Sequence, residues 1–175
     1  MLLKSPSGIR PTEDRVRKAL FDILGDMSGL SFLELYAGSG SVGLEALSQG
    51  AQSLTFVEKD RNCSLIIGQN LGNVLSKAPR DSQRTTILTD DSITAVARLS
   101  KQGSRFDVIF ADPPYYKGLS EKILQNLDEY DILTNSGCLV LQHYKKDPLP
   151  AKQGNLVLFK QSKYGDTFLS FFNHL

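Results

Sequence analysis

"LELYAGSGSVGLEALSQGA" (Leu33–Ala51) changes character half-way along. With the preceding Leu30–Phe32 it begins as the apolar run of a buried strand, passes through a small-residue loop, and continues as a helix that closes near Gly50. Gly38, Gly40 and Gly43 hold the spacing G-x-G-x-x-G between strand and helix, where a backbone without Cβ lets a ligand come close. That strand, loop and helix form the first unit of an alternating chain.

Reading outward, "SLTFVEKD" (53–60) is a second strand ending at an acid, and Arg61–Leu75 a helix. Pro79 opens a polar loop leading to a short strand, "TTIL" (85–88). "DSITAVARLS" (91–100) is a helix with Asp91 as its cap, and "FDVIFADPP" (106–114) a fourth strand stopped by prolines that cannot join a sheet interior. A helix from about Leu119 to Leu127, a fifth strand "GCLVLQHY" (137–144) and a hairpin in "NLVLFKQSKYGDTFLSFF" (155–172) that turns at Lys163–Asp166 complete the order. Before all of these, Val16, Leu20, Ile23 and Leu24 recur at helical spacing from Pro11 onward, with Thr12 as cap and Glu13 and Asp14 in the first turn. Strands alternating with helices predict an α/β fold, a doubly wound and mostly parallel sheet of seven strands whose last two form an antiparallel hairpin. Ligands of such sheets sit at the carboxyl ends of the strands. The residues of interest collect at those ends: the glycine loop, Glu58, Asp91 and Asp112.

Glu58 lies twenty positions after Gly38, at the end of the next strand, where a carboxylate accepts hydrogen bonds from ribose hydroxyls. An adenosine-bearing cofactor follows. Glu34 narrows its identity, because an acid inside an apolar strand needs a donor. It is badly placed beside a pyrophosphate and well placed for an α-ammonium or for the amides of the glycine loop. Asp91, with Ser92, is positioned to pair with an adenine amino group; capping the helix is the competing role.

Asp112 ends strand four, and Pro113 and Pro114 hold the backbone after it extended. The corner offers two acceptors, the Asp112 carboxylate and the Pro113 carbonyl, with the ring of Tyr115 alongside. Two acceptors suit an amino group. Base amines are weak nucleophiles because the nitrogen lone pair is delocalised; accepting both N–H hydrogens frees the pair for attack on a methyl sulfonium. The base must be flipped out or already unpaired, and Tyr115 then stacks on it. Tyr116 serves either this purpose or the packing of the corner.

Composition sets the bounds. At 175 residues, with 41% hydrophobic and 22% charged side chains, the chain is expected to be one globular domain rather than a disordered or fibrous one. "MLLKSPSG" lacks the apolar stretch of a signal peptide, so a cytoplasmic protein is expected. Cys63 and Cys138 fit no zinc or redox spacing and read as small buried hydrophobes; His143 and His174 read as structural, and no metal is expected. Net charge is +1, yet residues 1–18 and 145–166 each carry five basic against two acidic side chains, an asymmetry a phosphate-rich partner exploits. Arg10, Arg15 and Arg17 are the candidate phosphate contacts, against a solvated helix face paired with Glu13 and Asp14.

Four motifs in this order resemble a known family. "RPTEDRVRKALFDIL", "LELYAGSGSVGLEALSQGA", "DVIFADPPY" and "KYGDTFLSFF" are similar to the signatures of the class I S-adenosylmethionine-dependent methyltransferases, and within them of the bacterial 16S rRNA guanine-N2 methyltransferases called RsmD. The resemblance covers nearly the whole chain and implies a Rossmann-like methyltransferase fold, S-adenosylmethionine as cofactor, and 16S rRNA, the small ribosomal subunit or its assembly intermediate as partner. It implies transfer to the exocyclic N2 of a guanine, position 966 in that family. Residue by residue, Glu34, Gly38, Gly40 and Glu58 become cofactor contacts with Tyr36 and Lys59 beside them; Asp91 and Ser92 face adenine; Asp112, Pro113, Pro114 and Tyr115 are the catalytic tetrapeptide. Family members commonly place Asp and Phe where this chain has Glu34 and Tyr36, and most carry a strand pair before Arg-Pro-Thr where nine residues precede Arg10 here. A monomer is expected. The competing readings are a DNA or RNA adenine-N6 methyltransferase, an NAD-binding oxidoreductase built on the glycine loop and Glu58, and a catalytically silent RNA-binding module.

Overall fold

The computed structural model describes residues 14–76, 84–115 and 118–175. Thr12, Glu13, Arg10, the Pro79 loop and Tyr116 lie outside the described residues. At Asp91 the chain divides into two compact units.

The first holds α1 (Asp14–Leu24), β1 (Ser31–Leu35), α2 (Ser41–Ser48), β2 (Ser53–Glu58), α3 (Arg61–Leu75) and β3 (Arg84–Thr89). Its strands are parallel in the order β3-β2-β1, with Leu33 level with Thr55 and Thr55 with Thr86. Phe32 to Leu35 are all buried, the acid Glu34 among them, as befits a parallel strand covered on both faces. The stripe Val16, Leu20 and Phe21 buries α1, and the Phe21 ring stacks on Phe32 of β1 at 6.4 Å. α3 starts where Asp60 accepts from the backbone N–H groups of Asn62 (2.7 Å) and Cys63 (3.1 Å), a side-chain cap that also draws the Asp60 pKa down.

The second unit holds α4 (Ser92–Lys101), β4 (Phe106–Ala111), α5 (Leu119–Tyr130), β5 (Leu133–Tyr144), β6 (Lys152–Gln153), β7 (Leu156–Tyr164) and β8 (Thr167–His174), with strand order β4-β5-β8-β7-β6. β4 and β5 are parallel and the later pairs antiparallel. All seven expected strands are present. Among the described residues there is an eighth, β6, of two residues. α5 runs a turn past Leu127 and stops where Asp131 turns left-handed (φ 42°).

His143 is fully buried. Its Nδ1 faces two carbonyls, of Asp147 (2.9 Å) and Tyr144 (3.2 Å), so Nδ1 carries the hydrogen and Nε2 accepts from the Ser170 hydroxyl at 2.8 Å; Ser170 in turn accepts from Gln161 Nε2 at 2.8 Å. One chain of bonds thus links β5, β8 and β7, and burial holds the imidazole pKa down, in the neutral form. Cys63 is buried and Cys138 half-buried; burial pushes their thiols up to about 11 and about 12, which suits inert packing groups. No helix among the described residues is long and apolar enough to cross a membrane.

Candidate active site

In the first unit the site grows from the loop between β1 and α2. Gly40 precedes α2 in a left-handed conformation (φ 74°), and a Cβ there would press on Phe56 and Ile67 at 3.0 to 3.2 Å. The loop is pinned by Gly40 N–H donating to Ala37 O (2.7 Å), Ala37 N–H to Val57 O (3.1 Å), and the buried Asn70 amide donating to Ser39 O (3.1 Å). Tyr36 introduces it at φ 57°, a conformation disfavoured for a non-glycine residue. Burial, then the charge of Asp91, pushes its phenol up to about 12.

Glu34 finds its donor. It is 3% exposed, and its Oε2 accepts the backbone N–H of Gly43, in the first turn of α2, at 2.7 Å. Gly43 cannot carry a side chain: a Cβ would stand 2.7 Å from that same oxygen and from the Phe56 ring. Of the two donors open to Glu34 in the sequence, the structure provides the loop-side amide. The consequence is chemical. A dinucleotide sets its pyrophosphate on the N-terminus of this helix, and here one amide of that first turn, Gly43 N–H, is already taken by a buried carboxylate.

Glu58 ends β2 with both oxygens engaged, Oε2 by Gly38 N–H and Oε1 by Asp60 N–H, each at 2.8 Å. Each keeps a lone pair for a further donor such as a ribose hydroxyl. Lys59 follows, exposed. After β3, Asp90 N–H donates to Glu58 O (3.1 Å) and Asp91 N–H to Asp90 Oδ1 (2.8 Å), bringing that turn beside β2; Asp91 is exposed and Ser92 buried at the start of α4. An acid therefore stands near the carboxyl end of each strand of this unit: Glu34 one residue inside the end of β1, Glu58 at the end of β2 and Asp90 just after β3. Such an acceptor set fits a cationic nucleoside, with hydroxyls and an ammonium to bind, and does not fit a polyphosphate.

In the second unit Asp112 lies one residue beyond β4. Its Oδ2 accepts from Gln142 Nε2 at 3.0 Å. Burial pushes its pKa up to about 7, the Gln142 hydrogen bond pulling the other way. Pro113 is buried and Pro114 exposed. The Tyr115 hydroxyl bonds Thr167 Oγ1 at the start of β8 (2.9 Å), and its ring lies 5.7 Å from that of Tyr144 at the end of β5. The corner is thus braced on β5 and on the hairpin. Lys145, next to Tyr144, forms an ion pair with Asp166 at 2.7 Å, and Lys163 and Lys146 add to the positive field that lowers the Asp166 pKa.

Of the arginines, Arg15 is exposed on α1, whereas Arg17 donates to Asp14 at 2.8 Å and approaches Glu45 at 4.0 Å; Arg10 lies outside the described residues. Sequence reasoning passed over Asn70, Thr167 and Gln142. Only Gln142 left a signal, a lone amide in an otherwise apolar stretch of β5.

Residues 1–173 match the family model described as "Conserved hypothetical protein 95". The chain belongs to this family. It is 33% identical over 168 residues to "Putative rRNA methyltransferase YlbH" of Bacillus subtilis, covering 94% of this chain and 89% of the relative. It is 30% identical over 159 residues to "Ribosomal RNA small subunit methyltransferase D" of Escherichia coli, covering 90% and 76%. The solved structure of "Putative methyltransferase yhhF from Escherichia coli" superposes with a TM-score of 0.82 at 29% identity, covering 98% of this chain and 91% of that one. The resemblance read from the four motifs and the methyltransferase fold it implied are both borne out.

Proposed function

We propose that this protein is an S-adenosylmethionine-dependent methyltransferase that acts on 16S rRNA of the small ribosomal subunit, at the exocyclic N2 of a guanine. The observation that carries the choice of cofactor is the Glu34 carboxylate on the N–H of Gly43 (2.7 Å), which sets a negative charge against the helix turn where an NAD pyrophosphate would bind. Relatives named as rRNA methyltransferases support the class of substrate.

S-adenosylmethionine, when bound, supplies an electrophilic methyl on a sulfonium. Glu58 holds the ribose hydroxyls through the lone pairs its backbone donors leave free, and Asp91 with Ser92 faces the adenine edge. Tyr36 and Lys59 flank the pocket beside Gly38 and Gly40. On the acceptor side, the Asp112 carboxylate and the Pro113 carbonyl take the two N–H hydrogens of the guanine amine, Pro114 stiffens the turn, and the ring of Tyr115 supports the base. With both hydrogens so held by Asp112 and Pro113, the nitrogen lone pair would be free to take the methyl that the bound cofactor would supply, the sulfonium leaving as a neutral thioether. The nitrogen then carries the positive charge and gives a proton to Asp112, which passes it to water. A carboxyl poised near neutrality suits that acceptance. Arg10, Arg15 and Arg17 contact phosphates, no metal takes part, and the protein works as a single-domain cytoplasmic monomer.

Labelled S-adenosylmethionine with hypomethylated small subunits, naked rRNA and duplex DNA tests the reading. Label is expected in an RNA form, as N2-methylguanosine by mass spectrometry of the nucleosides; Asp112→Ala is expected to lower turnover at least a hundredfold while sparing cofactor affinity. Transfer to no RNA form, or N6-methyladenosine as the product, defeats it.

A further inference from the structure

Gln142 sits on β5, 6% exposed, with Leu141 level with Ala111 of β4 and Gln142 itself level with Leu169 of β8. Its Nε2 donates to Asp112 Oδ2 at 3.0 Å, while its Oε1 is enclosed with no hydrogen-bond partner among the described residues. A buried acceptor left unpaired is disfavoured, and such exceptions in a packed interior call for a reason. Here the reason is the neighbour. An amide offers a donor and an acceptor from one planar group, exchanged by a half-turn about its last bond. A carboxyl that gains and loses a proton in each cycle needs those two partners in alternation.

We propose that Gln142 is a positioning residue for methyl transfer: Nε2 donates to ionised Asp112, and after a half-turn Oε1 accepts from protonated Asp112, so the carboxyl keeps one orientation throughout. The inference rests on the reading of Asp112 as proton acceptor. With Oδ2 held from inside, Oδ1 is left for the amine. The methylated nitrogen gives its proton to Oδ1, and exchange with water moves the acid hydrogen to Oδ2, where Oε1 receives it; its loss to water restores the first arrangement.

The groups that share this corner are otherwise occupied. On β5, the imidazole of His143 is engaged by Ser170 and the Asp147 carbonyl, and the Tyr144 ring packs on Tyr115, whose hydroxyl bonds Thr167 of β8. Lys145 pairs with Asp166. Burial and the Gln142 amide are the two influences that set the proton affinity of Asp112; among the described residues no ionised group adds to them.

The test is a carbon-13 NMR titration of the Asp112 carboxyl in the full chain, without cofactor or RNA, in wild type, Gln142→Met and Gln142→Glu, alongside steady-state transfer. Methionine keeps length and removes both polar atoms. The midpoint is expected to rise by about one pH unit, because the ionised form loses its donor. In Gln142→Glu two adjacent acids are expected to titrate in two coupled steps, the upper above the wild-type midpoint. Both variants are expected to lose about tenfold in kcat, with the acid limb of the rate profile moved to higher pH, and to keep KM for RNA and affinity for cofactor. If the methionine variant does not fold, the near-isosteric glutamate variant decides. Unmoved midpoints in a chain that methylates RNA overturn the role of Gln142 and leave the reading of the site intact. Moved midpoints in a chain that methylates no RNA sustain the Gln142–Asp112 pair and remove that reading.

Discussion

Asp112 is an acid held where its charge is disfavoured, and this shapes stability as well as chemistry. Its pKa rises from 3.8 to about 7 on burial, so between those values the folded chain holds a proton that the unfolded chain has lost. Stability therefore falls as pH rises through that window and levels off above about 7. Asp112→Asn has no such proton, and is expected to be more stable than wild type above the window by about 1–3 kcal/mol, discounted for the partial exposure of the residue. Urea unfolding of both proteins on either side of the window checks this; a constant difference across it contradicts it. At this scale the sequence was informative where chemistry is rare and silent where it is common. An acid inside an apolar strand (Glu34) and an acid before two prolines (Asp112) announce themselves. Asn70 does not, because its task, donating to Ser39 O across thirty-one positions, exists only once the loop and α3 are packed together.

The element that carries the site in the first unit is α2, and its fit depends on Gly43. A methyl group there meets the Glu34 carboxylate, the Phe56 ring and Leu54 within 2.7 to 2.8 Å. All three belong to strands and none is the loose end of a long chain on the surface. Gly43→Ala is expected to destabilise the protein by about 1–3 kcal/mol and to weaken cofactor binding, read by thermal melting and calorimetric titration. Unchanged melting would mean that α2 shifts freely on its strands. Element boundaries were legible in proportion to how locally they are determined. Arg61–Leu75 is found as expected, capped by Asp60. β5 begins at Leu133 rather than Gly137, because Thr134–Ser136 look like a turn; in the fold Leu133 pairs with Phe106, Thr134 donates to Asp107 at 3.1 Å, and a register shift between Phe106 and Val108 leaves the extra residues on β5. β6 has no pattern of its own and exists because β7 offers it an edge.

For the molecule as a whole, charge is distributed rather than large. The excess of cations falls in residues 1–18 and 145–166 while the net is only +1, so attraction to a polyanion is local and salt-sensitive. RNA affinity is expected to fall steeply as salt rises, and Arg15→Ala to reduce the slope of log affinity against log salt by about one. Arg15 is the cleaner choice, since Arg17 already serves Asp14; filter binding across a salt series gives the answer, and an unaltered slope removes Arg15 from the interface. The braced corner has an optical corollary. The chain has six tyrosines and no tryptophan, so its ultraviolet emission is phenolic alone, and two of the emitters are the ring-contacting pair Tyr115 and Tyr144. A purine laid against that pair dims their share of an emission that no tryptophan masks, which makes arrival of the base visible without attaching a dye.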